Sequence, residues 1–184
     1  MHKLFLLVLA LSACLLLAAC GGSPPPTEAP AAAKPPSASP PLDAKVIEAS
    51  AVFTQSDAEH LLNRILTPGK LSSQPVVGQK LCVYAKEDAF CQVTLTQKGA
   101  MTAENLAAGQ SPKAIFEALK KNFPNAKQLE NVGDDNFLAP PGLHILKGDY
   151  YITLSFGSEN NKLGTEKWQS AGQTAVANLL KNIP

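Results

Sequence analysis

The chain has 184 residues, 45% hydrophobic and 17% charged, with 16 basic against 15 acidic side chains. Arg64 is its one arginine and no lysine/arginine block occurs, so the phosphate-neutralising surface that nucleic-acid binding needs is missing. Nucleic acid is excluded as an expected partner.

Met1 to Lys3 carry one lysine and the amino terminus, and residues 4–17 are apolar except for Ser12, the layout of a secretory signal. As a helix this segment spans roughly 21 Å, short of the roughly 30 Å hydrocarbon core that a retained span must cross. It closes on Leu17-Ala18-Ala19-Cys20, a pattern that resembles the bacterial lipobox, whose cysteine sulfur receives a diacylglyceryl group before cleavage. Leu11-Ser12-Ala13-Cys14 also matches, but cleavage there would leave an h-region of about seven residues and Leu15 to Leu17 just after the anchor, so Cys20 is preferred. Residues 1–19 are then the signal peptide, and without Lys3 the mature chain balances 15 basic against 15 acidic residues. Each buried CH₂ contributes about 0.8 kcal/mol, so two or three acyl chains on Cys20 would make attachment effectively permanent. The resemblance implies an envelope lipoprotein. Gly21, in place of the aspartate that favours inner-membrane retention in enteric-type bacteria, points to the outer membrane facing the periplasm.

Residues 20–42 form a lipidated cysteine and a Pro/Ala-rich linker, with eight prolines between Pro24 and Pro41. This composition favours extended polyproline II, and at about 3.1 Å per residue it could hold a domain up to roughly 60 Å from the membrane. It reads as a spacer, or as a docking site for a proline-recognising partner or peptidoglycan. Residues 43–184 are one domain's worth of chain. Cys82 and Cys91 belong to it, and the oxidising export route makes a disulfide the default expectation, contributing about 2.5 kcal/mol.

Within the domain, Ser56-Asp57-Ala58-Glu59 predicts a capping box, followed by Ala58, Leu61, Leu62, Ile65 and Leu66 at helical spacing up to Pro68-Gly69. Residues 80–85 and 88–96 predict a hairpin. With Lys86-Glu87 as its turn, Cys82 faces Cys91, and Cys82, Tyr84, Cys91, Val93 and Leu95 share a buried face while Gln92, Thr94 and Thr96 point outward. Val83 and Phe90 pair on the outward side, expected beneath another element. Residues 102–108 suggest a short helix. Ser111-Pro112 opens another, with Ile115, Ala118 and Leu119 as its buried stripe and Phe123 at its end. A strand is expected near residues 126–132. Residues 143–146 and 150–156 form a hairpin turned at Gly148-Asp149, with Leu143, Ile145, Ile152, Leu154 and Phe156 inside and His144 and Tyr151 facing out. Residues 164–182 predict a helix, capped by Thr165, with Trp168, Ala171, Ala175, Leu179 and Ile183 on one stripe. The order implies an α+β fold: an antiparallel sheet of about four to six strands, helices packed on one face, and a loose helix-plus-hairpin duplication.

Chemistry-bearing groups are sparse. His60 and His144 sit on different elements without acidic neighbours at metal-ligand spacing, so neither a metal nor a cofactor is expected. No G-x-S-x-G occurs, and the two domain cysteines read as partners rather than nucleophiles. No catalytic residue is predicted. Asp134, Asp135, Asn136 and Glu130 form the densest acidic group, a calcium-type oxygen set without the spaced loop, and read first as an exposed turn. Tyr150, Tyr151 and Trp168 could line a hydrophobic or glycan pocket, or serve as core.

The stretch Thr54-Gln55-Ser56-Asp57-Ala58-Glu59, the Cys82-Val83-Tyr84 strand, Val132-Gly133-Asp134, and Gly142-Leu143 leading to Lys147-Gly148-Asp149 resemble small bacterial lipoproteins and sensor-type extracytoplasmic domains over residues 50–184. The chain departs from them in placing both domain cysteines in one hairpin. The resemblance implies an α+β fold and a non-enzymatic role and carries over no site residues. The expected function is a membrane-tethered, non-catalytic interaction or sensing module with the bilayer and an envelope protein or peptidoglycan as partners. The alternative is a periplasmic carrier of a small apolar or lipid ligand.

Overall fold

The strands form two three-stranded meanders: β1 (Lys70–Gln74), β2 (Val77–Lys86) and β3 (Ala89–Met101), then β4 (Asp135–Ala139), β5 (Gly142–Lys147) and β6 (Tyr150–Ser155). The computed structural model describes residues 45–183; the signal peptide, Cys20 and the whole linker lie outside them. The meanders join through β3 and β6 into one antiparallel sheet of order β1-β2-β3-β6-β5-β4. Helices α1 (Ala49–Val52) and α2 (Gln55–Leu62) precede the first meander, α3 (Ala103–Ala107) and α4 (Pro112–Lys120) link the two, and α5 (Thr165–Asn182) closes the chain. The α+β class and the antiparallel sheet agree with expectation. The repeated unit is a helix with a three-stranded meander rather than a hairpin, because the exposed polar strand β1, Lys-Leu-Ser-Ser-Gln, carries no buried alternation to announce it.

The first face of the sheet is apolar. Cys82, Tyr84, Cys91, Val93, Leu95, Leu143, Ile145, Ile152 and Leu154 lie buried under α1, α2 and α5, whose Val52, Ala58, Trp168, Ala171, Ala175 and Leu179 complete the main core. Phe156 meets Phe53 and Trp168 at ring separations of 6.0 and 5.2 Å. The expected stripe of α5 is thus in place, although Gly164 rather than Thr165 takes the cap position. Helix α4 departs from the one-face expectation. Its Phe116 packs with Phe137, Leu146 and Tyr151 in a separate cluster on the second face, so the sheet is covered from both sides.

Local chemistry moves several boundaries. The capping box of α2 sits two residues early: Asp57 N–H donates to Thr54 Oγ1 at 3.2 Å and Thr54 N–H to Asp57 Oδ2 at 2.9 Å. Glu59 instead accepts from Leu66 N–H at 2.8 Å, tying down the chain after the helix. Asn63 ends α2 in the left-handed region (φ 52°), so Ile65 never joins the stripe and stands 73% exposed. Residues 126–132 contribute one bridge, Lys127 to Leu138, instead of a strand. Asn136 takes over the ladder there, accepting from Leu129 N–H and donating to the Leu129 and Val132 carbonyls at 2.8–2.9 Å.

In the β2–β3 hairpin the turn is Glu87-Asp88, since Lys86 pairs with Ala89. Cys82 therefore faces Val93, and Cys91 faces Tyr84. The displacement is two residues, which keeps both cysteines on the expected face but makes them diagonal neighbours, a position about 7–8 Å apart in a sheet and beyond what a disulfide spans without backbone movement. The expected Cys82–Cys91 bridge is absent, and both are buried free thiols. Between Val77 and Gln79 the register slips, Val77 pairing with Met101 and Gln79 with Thr96. Gly78 makes this possible with φ 64°, where a Cβ would come within 2.5 Å of the Gln97 carbonyl.

Candidate functional site

The second face of the sheet is built from in-register rows that cross the strands. Gln79, Thr96, Tyr151, Leu146 and Asp135 are successive partners from β2 to β4. The neighbouring row is Leu81, Thr94, Thr153, His144 and Phe137. Threonine is as well suited to a strand as valine, so these residues satisfy strand propensity while lining the face with hydroxyls. Thr94, Thr96, His144, Thr153 and Ser155 are all buried.

Helix α4 covers the β4–β5–β6 part of this face. Ser111 caps it, its Oγ accepting from Ala114 N–H at 3.1 Å, and Pro112 occupies the first turn, as the sequence predicts. The ring of Phe116 meets Phe137 at 5.2 Å and Tyr151 at 5.6 Å, and Lys120 Nζ reaches both carboxylate oxygens of Asp135 at 2.6–2.7 Å. Phe116, not Ala118, is therefore the buried anchor of α4, and Ala118 is exposed.

His144 faces away from the main core as expected, but α4 and Phe137 bury it to 1% exposure. Its ring stacks on Phe137 at 4.4 Å between centroids and 9° between planes. Nε2 lies 3.2 Å from the Ala139 carbonyl, which can only accept, so Nε2 carries the proton and Nδ1 accepts from the Tyr151 hydroxyl at 2.7 Å. Burial pushes the His144 ring below its ordinary pKa and the Tyr151 phenol above its own, which keeps this pair neutral. Tyr151 is thereby held in one orientation.

Beside α4 the second face opens into a cleft of about 500 Å³. Its floor is Gln79, Thr96 and Tyr151, three members of one row, with Val77 at the register slip. Ala114, Ile115 and Ala118 of α4 make one wall, and the Ala108-Gly109-Gln110 loop makes the lip. Volumes of 300–1,000 Å³ with an apolar lining and a few placed polar groups are typical of small-molecule sites. None of these lining residues is charged.

Of the residues singled out in the sequence for chemistry or a pocket, Tyr151 lines this cleft, and the others lie elsewhere. Cys82 and Cys91 are in the main core, where burial raises both thiol pKa values and leaves them poor nucleophiles. Cys20 lies outside the described residues. His60 is exposed on α2 at the far side of the sheet. The aspartates are engaged by lysines: Asp134 accepts from Lys147 Nζ at 2.6 Å and from Gly148 N–H at 2.7 Å, holding its carboxyl below the usual range, and Asp135 binds Lys120. Trp168 is core and Tyr150 is half-buried. Among the described residues no three His, Cys, Asp or Glu side chains are grouped to hold a metal ion. The cleft is invisible to motif reasoning because its floor comes from three strands. The alternation Gln92-x-Thr94-x-Thr96 is the one local sign of a polar second face. Comparisons with protein-family models, curated proteins and solved structures give no match.

Proposed function

We propose that the chain is a membrane-tethered, non-catalytic envelope lipoprotein that acts as an interaction or sensing module, anchored through acylated Cys20 at the outer membrane and facing the periplasm. Its recognition site is the second face of the sheet. The observation that carries this reading is the asymmetry of the two faces. The first is sealed by three helices, while the second pairs a hydroxyl-rich floor with an open cleft beside α4. A polar floor under an open cleft adds little to core burial and suits the binding of a neutral group. The test is crosslinking of the lipidated chain in its native envelope, with mass spectrometry of what is captured, in three forms: wild type, a deletion of residues 23–42, and Ala118→Trp, which fills the cleft. A partner lost from the last form supports this site; undiminished capture by Ala118→Trp places recognition elsewhere.

The size of the cleft also favours a second reading, a periplasmic carrier of a small apolar or lipid ligand. Native mass spectrometry after gentle extraction distinguishes it by showing a bound mass on the polypeptide.

A further inference from the structure

We infer that the cleft beside α4 takes a small uncharged ligand that combines an apolar body with a hydrogen-bonding group, and that it discriminates against charge. This rests on the cleft being the recognition site and adds the chemistry of the occupant. Four observations carry it.

The walls of the cleft are short. Ala114 and Ala118 face it from α4, whereas Phe116, between them in sequence, fills the neighbouring space between helix and sheet completely. A helix seated on the sheet by a phenylalanine along one side and bordered by alanines along the other leaves a gap beside it, with room for a ring system or a short chain. The floor is ordered before anything binds. Gln79, Thr96 and Tyr151 are adjacent partners across three strands, and the Tyr151 ring is fixed because its hydroxyl is committed to His144 at 2.7 Å.

Thr96 supplies the polar contact. The residue is 2% exposed, it lines the cleft, and its hydroxyl takes no part in the side-chain hydrogen bonding seen among the described residues. Among those residues no sealed side-chain polar atom lacks a partner, so this hydroxyl opens to the cleft. Gln79 and Gln110, at the floor and the lip, bring amide donors and acceptors to the same space. Finally, no lysine, arginine, aspartate, glutamate or histidine lines the cleft. A charged ligand would lose water there without gaining a counter-charge, a penalty that a neutral molecule of the same shape escapes.

Two dyes of one skeleton test this: N-phenyl-1-naphthylamine, which is neutral and has one N–H, and 8-anilinonaphthalene-1-sulfonate, the same framework with a negative charge. The protein is the mature chain, residues 20–184, with Cys20→Ser so that no lipid or detergent competes for dye. The neutral dye is expected to bind saturably at one site, with the sulfonate at least tenfold weaker. Ala114→Trp and Ala118→Trp should each weaken the neutral dye at least tenfold, Thr96→Val about fivefold, and Ala177→Trp, on the exposed side of α5, not at all. The inference is overturned if the sulfonate binds as tightly as the neutral dye, if both cleft-filling variants bind like wild type, or if the neutral dye does not bind. Failure here combined with loss of envelope capture by Ala118→Trp would leave the recognition site standing with a different occupant. Failure of both would remove the site itself.

Discussion

His144 gives the fold a pH dependence that can be isolated. The ring is buried, stacked on Phe137, and pinned as the neutral tautomer between Ala139 and Tyr151, and burial lowers its pKa in the folded state. Above the unfolded-state value of about 6.5 the ring is neutral in both states and its contribution to stability is fully present. As pH falls below that value the unfolded chain takes up a proton that the folded chain refuses. Stability then drops by up to about 1.4 kcal/mol per pH unit until the folded ring itself protonates, where the loss stops. Between pH 7.5 and 5.5 the wild type should lose stability by at most about 1.4 kcal/mol, the limit in which the folded ring stays neutral throughout, against a margin of roughly 5–15 kcal/mol. The depressed carboxyls of Asp134, Asp88 and Glu59 have the same sign but act only as pH falls through the carboxylate range, outside this window. Urea unfolding of the mature Cys20→Ser chain at half-unit pH steps is the assay, with His144→Gln as the non-titrating variant and His60→Gln, changed at an exposed position, as control. His144→Gln should flatten the profile from pH 7.5 to 5.5 while His60→Gln leaves it unchanged. An equal slope in wild type and His144→Gln would refute the argument that a buried neutral ring sets the dependence.

Gly142→Ala should destabilise severely, by about 3 kcal/mol or more, because the new Cβ would lie 1.9 Å from the Leu154 carbonyl oxygen in the adjoining central strand; equilibrium unfolding measures it. Asn136→Ala strips three hydrogen bonds from the Leu129 and Val132 backbone and should cost about 2–4 kcal/mol, with faster hydrogen exchange over residues 127–133. Cys82 and Cys91 should resist a maleimide in the native state and both react after unfolding without reductant; an unfolded chain with neither thiol available would reinstate the bridge.

Face assignments were legible in the sequence wherever alternation was strict, and register was not. The period-two pattern puts Cys82, Tyr84, Cys91, Val93 and Leu95 on one side whether the hairpin turns at 86–87 or 87–88 with a two-residue slip in pairing, so the pattern could not choose between a cross-strand and a diagonal cysteine pair. What chose was Glu87 accepting a positive φ of 56°, a choice that no Gly or Asn marks. The β5–β6 turn does carry Gly148, and its register is as predicted. His144 and Tyr151 point to the expected side, but whether that side is water or protein depends on where α4 (Pro112–Lys120) docks, which no residue near either of them signals. Likewise β1 is a strand only because β2 offers its edge, since its own side chains are all exposed. The cleft inherits these difficulties at once, needing β2, β3, β6, α4 and a register slip at Gly78 to be placed together.

The division of polar groups in the interior separates what the fold needs from what the site uses. Gln97 is buried on the first side, donating to the Ile47 carbonyl and accepting from its N–H, and so fixes the chain where the domain begins. Asn136 stitches residues 129–132 to β4. Both have structural work that an apolar side chain could not do. Thr94 and Thr96 have none of this kind, and valine would match their shape and strand propensity without the cost of desolvating a hydroxyl. If these second-face threonines serve recognition, Thr96 in the cleft and Thr94 in the row beside it, the double variant Thr94→Val/Thr96→Val should fold with unchanged or slightly greater stability, by up to about 1 kcal/mol, while its capture of an envelope partner falls. Urea unfolding and the crosslinking yield, measured on the same variant, read the two effects separately. A loss of more than about 1 kcal/mol would make the hydroxyls part of the scaffold, and the polarity of the second face would then be explained by folding alone.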